Sequence, residues 1–390
     1  MTPDPSPEPF PWSIGIHDAH CHPTDTMSSI PAISSMKART LTVMSTRRED
    51  QALVDAVARD DKTSARVIPS FGWHPWYAHQ IFDDTDSNCS RAGGMGTISK
   101  EAHYTSVLTP PPTLTDNNDD TALLNGLPTP LPLSLFIRET RARLTSYPSA
   151  LVGEIGLDRS FRIPNPHPLE GENEVARRDP PPSLTLGSRE GRALSAYKVN
   201  MAHQKAVFKA QLQLAGEMGR AVSVHSVQAH GAVFEVLSGL WKGGERKVLS
   251  KREIRRREGG KGSSRDEGKE EEEKGESKPR PFPPRICMHS YSGPPEALKQ
   301  FLHPAVPADI YFSFSSVINF SNADRDRKVQ EVLRSLPDER ILVESDLHVA
   351  GERMDEVLEE VVRKVCEVKG WGVEEGVGIL ERNWRRFVFG

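Results

Sequence analysis

Several features are scarce in this 390-residue chain, and each absence excludes a class of protein. The four cysteines, Cys21, Cys89, Cys287 and Cys366, are too few and too scattered for a disulfide-stabilised fold. They favour a reducing intracellular compartment, either cytoplasmic or nuclear. No apolar run approaches the roughly 18–20 residues that span a bilayer, so we expect no membrane contact. The Pro-rich, acidic first residues also lack the basic and apolar regions of a secretory signal.

A general basic surface is missing as well, because the net charge is −4. Any contact with nucleic acid must therefore be local. Hydrophobic residues make up only 36% of the chain, which is low for a globular domain. Such a value indicates either loose packing throughout or a normal core that is diluted by polar segments.

The polar residues are concentrated in four segments. The N-terminal tail, 1–11, is rich in proline, and three internal stretches at about 81–128, 163–194 and 242–284 are rich in Pro, Gly, Ser or charge. Because such segments bury too little apolar surface to offset their ordering entropy, we predict a disordered tail and three long disordered insertions. We therefore predict a single domain, 12–390, that carries the three insertions. Without the tail and the insertions roughly 255 residues remain, close to the ~250 of one (β/α)₈ barrel.

The remaining sequence alternates between short β-branched runs and helical patterns such as Arg48–Arg59 and Ala202–Gly219. This alternation is typical of an α/β fold with a parallel sheet. Eight strands favour closure into a (β/α)₈ TIM barrel, although an open doubly wound sheet has the same pattern. The predicted strands are Ile14–His20, Thr40–Ser45, Arg66–Gly72, Leu151–Ile155, Ala221–His225, Arg285–His289, Ile310–Ser315 and Ile341–Glu344.

Histidines and carboxylates lie at or near the carboxyl ends of these strands, where barrel enzymes form their active sites. His20 and His22 alternate at the end of the first strand, so both point to one side, whereas Cys21 points to the other and is interpreted as a core residue. A single such histidine is more often structural. The recurrence at several strands predicts a metal centre, and six N/O ligands without thiolate suit two divalent ions. The further candidates are Glu154, His225, His289 and Asp346.

These residues also carry a family resemblance, which spans nearly the whole core. The chain resembles the TatD-type metal-dependent deoxyribonucleases, a family of the amidohydrolase superfamily of barrels. The matching motifs are DAHCH (Asp18–His22), FGWHPW (Phe71–Trp76), GEIGLD (Gly153–Asp158), Val222–His225 with the preceding Gln204, Phe208 and Gln211, HSYSG (His289–Gly293), LVESD (Leu342–Asp346) and Asn383–Phe387.

The resemblance implies hydrolysis of phosphodiester bonds in DNA, as single strands or at strand ends. It implies that one ion is bound by His20, His22 and Asp346, that Glu154 bridges, and that a second ion is bound by His225 and His289. Asp346 is then the candidate general base. His74, in the Gly-x-His-Pro motif, is assigned to the substrate phosphate, with a purely hydrogen-bonding role as the alternative. The metal can be Mg, Mn or Zn.

Two departures from the bacterial pattern affect the substrate assignment. The chain has Val227 where many bacterial members carry an arginine after the fifth strand, and His348 where they carry proline. These changes resemble a eukaryotic, fungal branch of the family. The six expected ligands are unaffected.

Two alternative functions remain open. One is an amidohydrolase-type reaction on a small ester, amide or phosphoester, since one fold supports many chemistries. Against it, several amide hydrolases of the superfamily carry a modified lysine where this chain has Glu154. The other is a partner-binding protein that uses the charged segment 242–280, which includes the basic run Lys251–Arg257. Aromatic residues such as Trp73, Trp76 and Tyr291 either stack on bases or pack at the rim.

Overall fold

Eight parallel strands form the core, and nearly all of their residues are buried, which is typical of a sheet covered on both faces. The computed structural model describes residues 9–85, 98–113, 118–165, 194–248 and 280–390. The strands are β1 (His17–Cys21), β2 (Thr40–Met44), β3 (Val67–Ser70), β4 (Val152–Asp158), β5 (Val222–Val227), β6 (Arg285–Met288), β7 (Asp309–Phe314) and β8 (Ile341–Val343).

Helices follow most of the strands and pack around them, as the alternating pattern predicts. No helix in the described ranges has the length and apolarity that a membrane crossing requires. The helices are α1 (Arg48–Arg59), α2 (Lys100–Val107), α3 (Asn118–Gly126), α4 (Leu133–Ser146), α5 (Met201–Glu217), α6 (His230–Trp241), α7 (Pro295–Phe301), α8 (Ser316–Asn319), α9 (Ala323–Ser335), α10 (Glu352–Lys369) and α11 (Val373–Phe389).

The strands follow one another in chain order around the barrel. β1, β2 and β3 form one parallel ladder, and β4 to β8 form a second. A parallel bridge between Ser70 and Leu151 connects the two ladders. The barrel closes near its carboxyl end, where the Asp346 N–H donates to the His20 carbonyl at 3.0 Å and the His22 N–H donates to the Leu347 carbonyl at 2.8 Å. The prediction of an α/β barrel is therefore confirmed.

Helix α11 packs at the amino end of the barrel. Its Trp384 and Phe387 belong to a buried cluster with barrel residues such as Leu151 and Leu342. Asn383 donates to the carbonyl of Ile341, the first residue of β8, at 2.9 Å. Since this end is filled by apolar side chains, the carboxyl end is the one that can hold a site.

All eight predicted strands are present, and their bounds differ from the prediction by at most three residues, a difference reached at the end of β4 and at the start of β1. This strand begins at His17 rather than Ile14 and ends at Cys21. Gly15 has a φ of +110°, a conformation outside the extended region, so the run before His17 cannot continue the strand. His22 therefore lies just beyond β1. Cys21 is fully buried, as predicted, with its Sγ 3.6 Å from the Thr42 carbonyl oxygen.

The first predicted insertion, 81–128, is folded over much of its length, so the expectation of disorder there was too wide. Residues 98–113 and 118–128 include α2 and α3. Tyr104 is fully buried and donates its hydroxyl to the Pro128 carbonyl at 2.6 Å. Leu123 and Leu124 join the same cluster as Trp73. Burial of these apolar side chains stabilises the segment, although its overall composition is polar and rich in proline.

The predictions for 1–8, 86–97, 114–117, 166–193 and 249–279 lie outside the described residues. Short flanks of the second and third insertions are described. Phe282, for example, is buried and belongs to the main core cluster.

Candidate metal centre

A buried carboxylate, Glu154, lies where the strand ends converge. Three imidazole nitrogens face its Oε1 atom: His225 Nδ1 at 2.7 Å, His289 Nε2 at 2.8 Å and His74 Nε2 at 3.1 Å. Glu154 is itself only 3% exposed. One carboxylate oxygen thus contacts side chains from β5 and from the segments that follow β3 and β6.

The other oxygen of Glu154 faces the histidines of the first strand. Oε2 lies 3.4 Å from His20 Nε2 and 3.3 Å from His22 Nε2. Asp346 Oδ1 lies 3.9 and 3.7 Å from the same two nitrogen atoms. The Asp346 side chain is 17% exposed, against 4% for that of Glu154. Asp346 therefore stands on the open side of the cluster.

The local backbone aims these side chains. Asp346, three residues beyond the end of β8, has a φ of +55°, an uncommon left-handed conformation for a non-glycine residue. The Glu154 N–H donates to the Ser45 carbonyl at 2.9 Å, and the His74 N–H donates to the Thr46 carbonyl at 2.8 Å. The loop after β2 therefore fixes two residues of the cluster at once.

Further polar residues hold the histidines from behind, and these were not among the predicted site residues. Ser223 Oγ lies 2.8 Å from His20 Nδ1, and Asp158 Oδ2 lies 3.2 Å from His225 Nε2. Such contacts orient an imidazole and fix which nitrogen faces the centre. The signal for Asp158 was visible in the sequence, because a carboxylate within the apolar GEIGLD run needs a polar partner.

Three more contacts support the cluster from outside. The Trp76 Nε1–H donates to Asp158 Oδ2 at 2.6 Å. Buried Glu344 lies 3.5 Å from His289 Nδ1 and accepts the Ser290 N–H at 2.9 Å. Glu344 was visible in the same way, inside the LVESD run.

The protonation states divide the cluster into two sets. Burial lowers the pKa of His20 to about 3 and that of His74 to about 4, so both are neutral at neutral pH. Burial would raise the pKa of Glu154, but the facing histidines, chiefly His74 and His289, outweigh it and hold that pKa well below the ordinary value. Burial raises the pKa of Asp346 to about 6.

His22 and His289 behave differently. Burial alone would lower the pKa of each, but Glu154 outweighs it, raising the pKa of His22 to about 9 and that of His289 well above its ordinary value. Glu154 thus stabilises the protonated forms of His22 and His289. A cation bound between these groups would replace those protons, so cation binding would release them.

The donor set fits divalent cations. Three groups of ligand atoms have all their members within 4.8 Å of one another, and Glu154 belongs to two of them. All the donors are imidazole nitrogens or carboxylate oxygens, which suit Mg, Mn or Zn. The structure thus brings the six predicted ligands together around one carboxylate. The groups are His20–Glu154–His289, His20–His22–Asp346 and His74–Glu154–His225.

His74 is part of this cluster, although the sequence assigned it to the substrate. Its Nδ1 accepts a hydrogen bond from the Trp76 N–H at 3.1 Å. Neutral His74 therefore carries its proton on Nε2, the atom that faces Glu154. That tautomer donates a hydrogen bond rather than an electron pair to the centre.

The cluster opens into a cavity of about 730 Å³. Its lining includes Trp76, Tyr77 and Tyr291, and basic side chains from Arg47 and Arg325. Trp73, one of the aromatic residues that could stack on bases, is 3% exposed and donates its Nε1–H to the Tyr77 carbonyl at 2.8 Å. It packs in the core instead.

Comparison with known proteins gives a consistent picture. The chain is 37% identical to the Cut9-interacting protein scn1 of Schizosaccharomyces pombe over 374 residues, covering 96% of this chain and 98% of that protein. It is 27% identical to an uncharacterized deoxyribonuclease, YMR262W, of Saccharomyces cerevisiae over 335 residues, 84% of this chain and 82% of that protein.

The same fold is found in the crystal structure of a TatD family hydrolase from Entamoeba histolytica. The match has a TM-score of 0.53 at 10% sequence identity and covers 96% of this chain and 98% of the other. The sequence model of the TatD-related DNase family matches residues 17–389. Since that match covers almost all of the chain, the protein belongs to the TatD-related DNase family.

Proposed function

We propose that this protein is a metal-dependent hydrolase that cleaves phosphodiester bonds in DNA, as single strands or at strand ends. The observation that carries the proposal is the set of imidazoles facing both oxygens of Glu154 at the open end of the barrel. Membership of the TatD-related DNase family supports the substrate class.

Each group of the cluster has a proposed role. His20, His22 and Asp346 would hold one divalent ion, His225 and His289 a second, and Glu154 would contact both. Divalent ions at such a site supply positive charge against the phosphate and lower the pKa of water. The carboxylates, and the imidazoles once His22 and His289 have released their protons, are the complementary ligands.

Asp346 is the group we propose to accept the proton of the attacking water. It is the most exposed of the six ligands, and it lines the cavity. A general base must lie within reach of both the nucleophile and the solvent to which it returns the proton. Glu154 is enclosed by imidazoles and holds the centre together instead.

His74 and His225 are proposed to position the phosphate and the centre. The Nε2–H of His74 donates toward the centre, so a phosphate oxygen that enters the cavity can accept it. Asp158 keeps His225 in place through its 3.2 Å contact with Nε2, while Nδ1 of His225 faces Glu154. The role of His225 depends on a contact that is already formed, whereas His74 would share its Nε2–H between Glu154 and the phosphate.

The test uses the full chain with Mg²⁺ or Mn²⁺ and labelled single-stranded or duplex DNA. We expect Asp346→Asn and Glu154→Gln to lower the cleavage rate by about 10²-fold or more, since each removes a group of the reaction. Glu356→Gln is the matched control, because that side chain is 54% exposed and pairs with Arg353 on the surface.

Metal content, measured beside the cleavage rate, separates the alternatives. Bound metal with no DNA cleavage by the unaltered protein would contradict the nuclease and favour a small ester, amide or phosphoester substrate. The cavity volume of about 730 Å³ favours that second candidate, because it is the size of a small-molecule site.

A protein partner is a further proposal, and it rests on the name of the Schizosaccharomyces pombe relative. We infer that this chain also binds a protein of the Cut9 type, with segment 242–280 as the contact. Residues 249–279 lie outside the described part of the chain. We expect a Cut9-type protein to co-purify with the Glu154→Gln/Asp346→Asn double variant. Loss of binding in this variant would contradict a partner surface that is separate from the metal centre.

We also propose an intracellular location, in the cytoplasm or nucleus. The cysteines within the described residues, Cys21, Cys287 and Cys366, are free and buried, as reduced thiols in a packed core are. Imaging of the tagged full chain tests this location, and a secreted product would contradict it.

A further inference from the structure

Arg47 lies in the loop between β2 and α1 and lines the cavity of the metal centre. Its side chain is only 5% exposed. The guanidinium carbon stands 4.8 Å from the centroid of the Tyr77 ring. The residue is thus a nearly buried positive charge on the wall of an open cavity, against an aromatic face.

The hydrogen-bonding capacity of this guanidinium is left partly unused. Its Nη2 atom has no hydrogen-bond partner among the residues that the structure describes. The nearest carboxylate oxygens are Asp50 Oδ1, 3.7 Å from Nη2, and Glu49 Oε2, 3.6 Å from Nε. Both distances exceed a hydrogen bond, and Asp50 Oδ1 also lacks a partner in this part of the chain.

A buried donor without an acceptor costs free energy, and a charged donor costs more. The neighbouring carboxylates stabilise the positive charge of Arg47 but lie too far away to accept its hydrogen bonds. An anion that enters the cavity would accept the hydrogen bonds of Nη2 and remove this free-energy cost.

The position of Arg47 ties it to the proposed reaction centre. The two residues before it, Ser45 and Thr46, accept the backbone N–H groups of Glu154 and His74. Arg47 is therefore anchored through the same loop that holds the centre. β5 contributes Ser226 and Val227 to the lining of the same cavity, and neither carries a positive charge.

We propose that Arg47 binds a phosphate group of the substrate at the wall of the cavity. The inference rests on the proposed function, because it takes the substrate to be a phosphodiester. The planar guanidinium fork matches the oxygens of a phosphate. The exposed Arg325 and Lys328, which line the same cavity, add attraction for a phosphate chain.

The first experiment measures phosphate binding without any catalytic step. Inorganic phosphate and thymidine 5′-monophosphate are titrated calorimetrically into the full chain after treatment with a chelator. Arg47→Gln is expected to weaken binding by about 10- to 100-fold, and Arg47→Lys to restore part of it. Arg48→Gln is the matched control, because Arg48 is 50% exposed and pairs with Glu139 on the surface at 2.7 Å.

Unaltered phosphate affinity in Arg47→Gln, or no phosphate binding by the unaltered chain, overturns the inference. Thermal unfolding of the same variants shows whether Arg47 only supports the fold, since a structural role changes stability without changing phosphate affinity in the folded protein. Phosphate binding that depends on Arg47 in a protein that cleaves no DNA would refute the proposed function and leave this site intact.

The second experiment identifies which phosphate Arg47 contacts. Cleavage of the dinucleotides dTpdT and pdTpdT is compared in Arg47→Gln and in the unaltered chain. A rise in KM of about tenfold for both indicates the scissile phosphate, whereas a rise for pdTpdT alone indicates the neighbouring one. In either case kcat is expected to stay within a few-fold, and an unchanged KM for both substrates contradicts the inference.

Discussion

His17 is enclosed at the first position of β1, away from the metal centre. Its ring stacks on Trp384, with the centroids 3.9 Å apart and an interplanar angle of 2°. Neither ring nitrogen has a hydrogen-bond partner among the described residues. Burial, followed by the charges of Arg39 and Arg385, lowers its pKa to about 3 from an ordinary 6.5.

This buried histidine makes stability depend on pH. Below pH 6.5 the unfolded chain takes up a proton that the folded chain refuses until about pH 3, so stability falls as pH falls through that window. His17→Phe keeps an aromatic ring on Trp384 but cannot titrate. Between pH 7 and 5 we expect the variant to lose about 2 kcal/mol less unfolding free energy than the unaltered chain.

Urea unfolding at a series of pH values measures this difference. The unaltered chain is the reference in the same buffers, so the other buried histidines cancel in the comparison. Parallel pH profiles for the two proteins would show that His17 is not the titrating group.

At the same scale, the sequence predicted the residues of the Glu154 cluster better than the residues that support them. His20, His225 and Asp346 were found because strand order alone places them at one end of a barrel. Ser223 was missed because its contact with His20 joins two strands 203 residues apart in sequence. Such a contact depends on which faces of two strands meet inside the barrel, and no local pattern specifies it.

At the scale of the element, β4 and β5 lie unusually close at Gly156. This residue has a φ of +148°, and a Cβ atom built on it would lie 2.0 Å from the carbonyl oxygen of His225. The obstructing atom belongs to a backbone that also carries a proposed metal ligand. Glycine is therefore required here for both conformation and space.

Gly156→Ala is expected to lower the free energy of unfolding by about 2–4 kcal/mol, through overpacking and a disfavoured φ. It should also weaken metal binding, because β5 can relieve the clash only by moving His225. Denaturant unfolding and metal titration measure the two effects. Gly239→Ala in α6, where no atom lies within 4 Å of the added methyl group, is the control and should be neutral or slightly stabilising.

A Gly156→Ala protein with unaltered stability would show that the two strands can separate without cost.

The elements themselves were largely predictable, because buried parallel strands and amphipathic helices have distinct periodicities. Helices α2 and α3 were not, since Tyr104, Leu123 and Leu124 stand among polar and proline residues. Only the packing against Trp73 shows that they are core residues.

At the scale of the molecule, the chain leaves the barrel for the second predicted insertion and returns to it at one place. Pro164 and Leu194 form an antiparallel bridge, and the Ser195 N–H donates to the Ile163 carbonyl at 2.9 Å. Gln204 on α5 holds the Asp158 backbone from within the described chain, accepting its N–H at 2.9 Å. The described residues therefore supply this support of His225 through Asp158.

Replacing 166–193 with a six-residue Gly-Ser linker is expected to preserve the fold, because the two ends already lie side by side. The unfolding free energy should stay the same or rise by about 1 kcal/mol, since a shorter loop loses less entropy on closure. Metal affinity should not change. As the contrasting variant, the same linker in place of Lys100–Val107 removes buried Tyr104 and should cost several kcal/mol. If the first replacement instead destabilises the protein or weakens metal binding, 166–193 contributes to the barrel, and the single-domain boundaries inferred from composition must be redrawn.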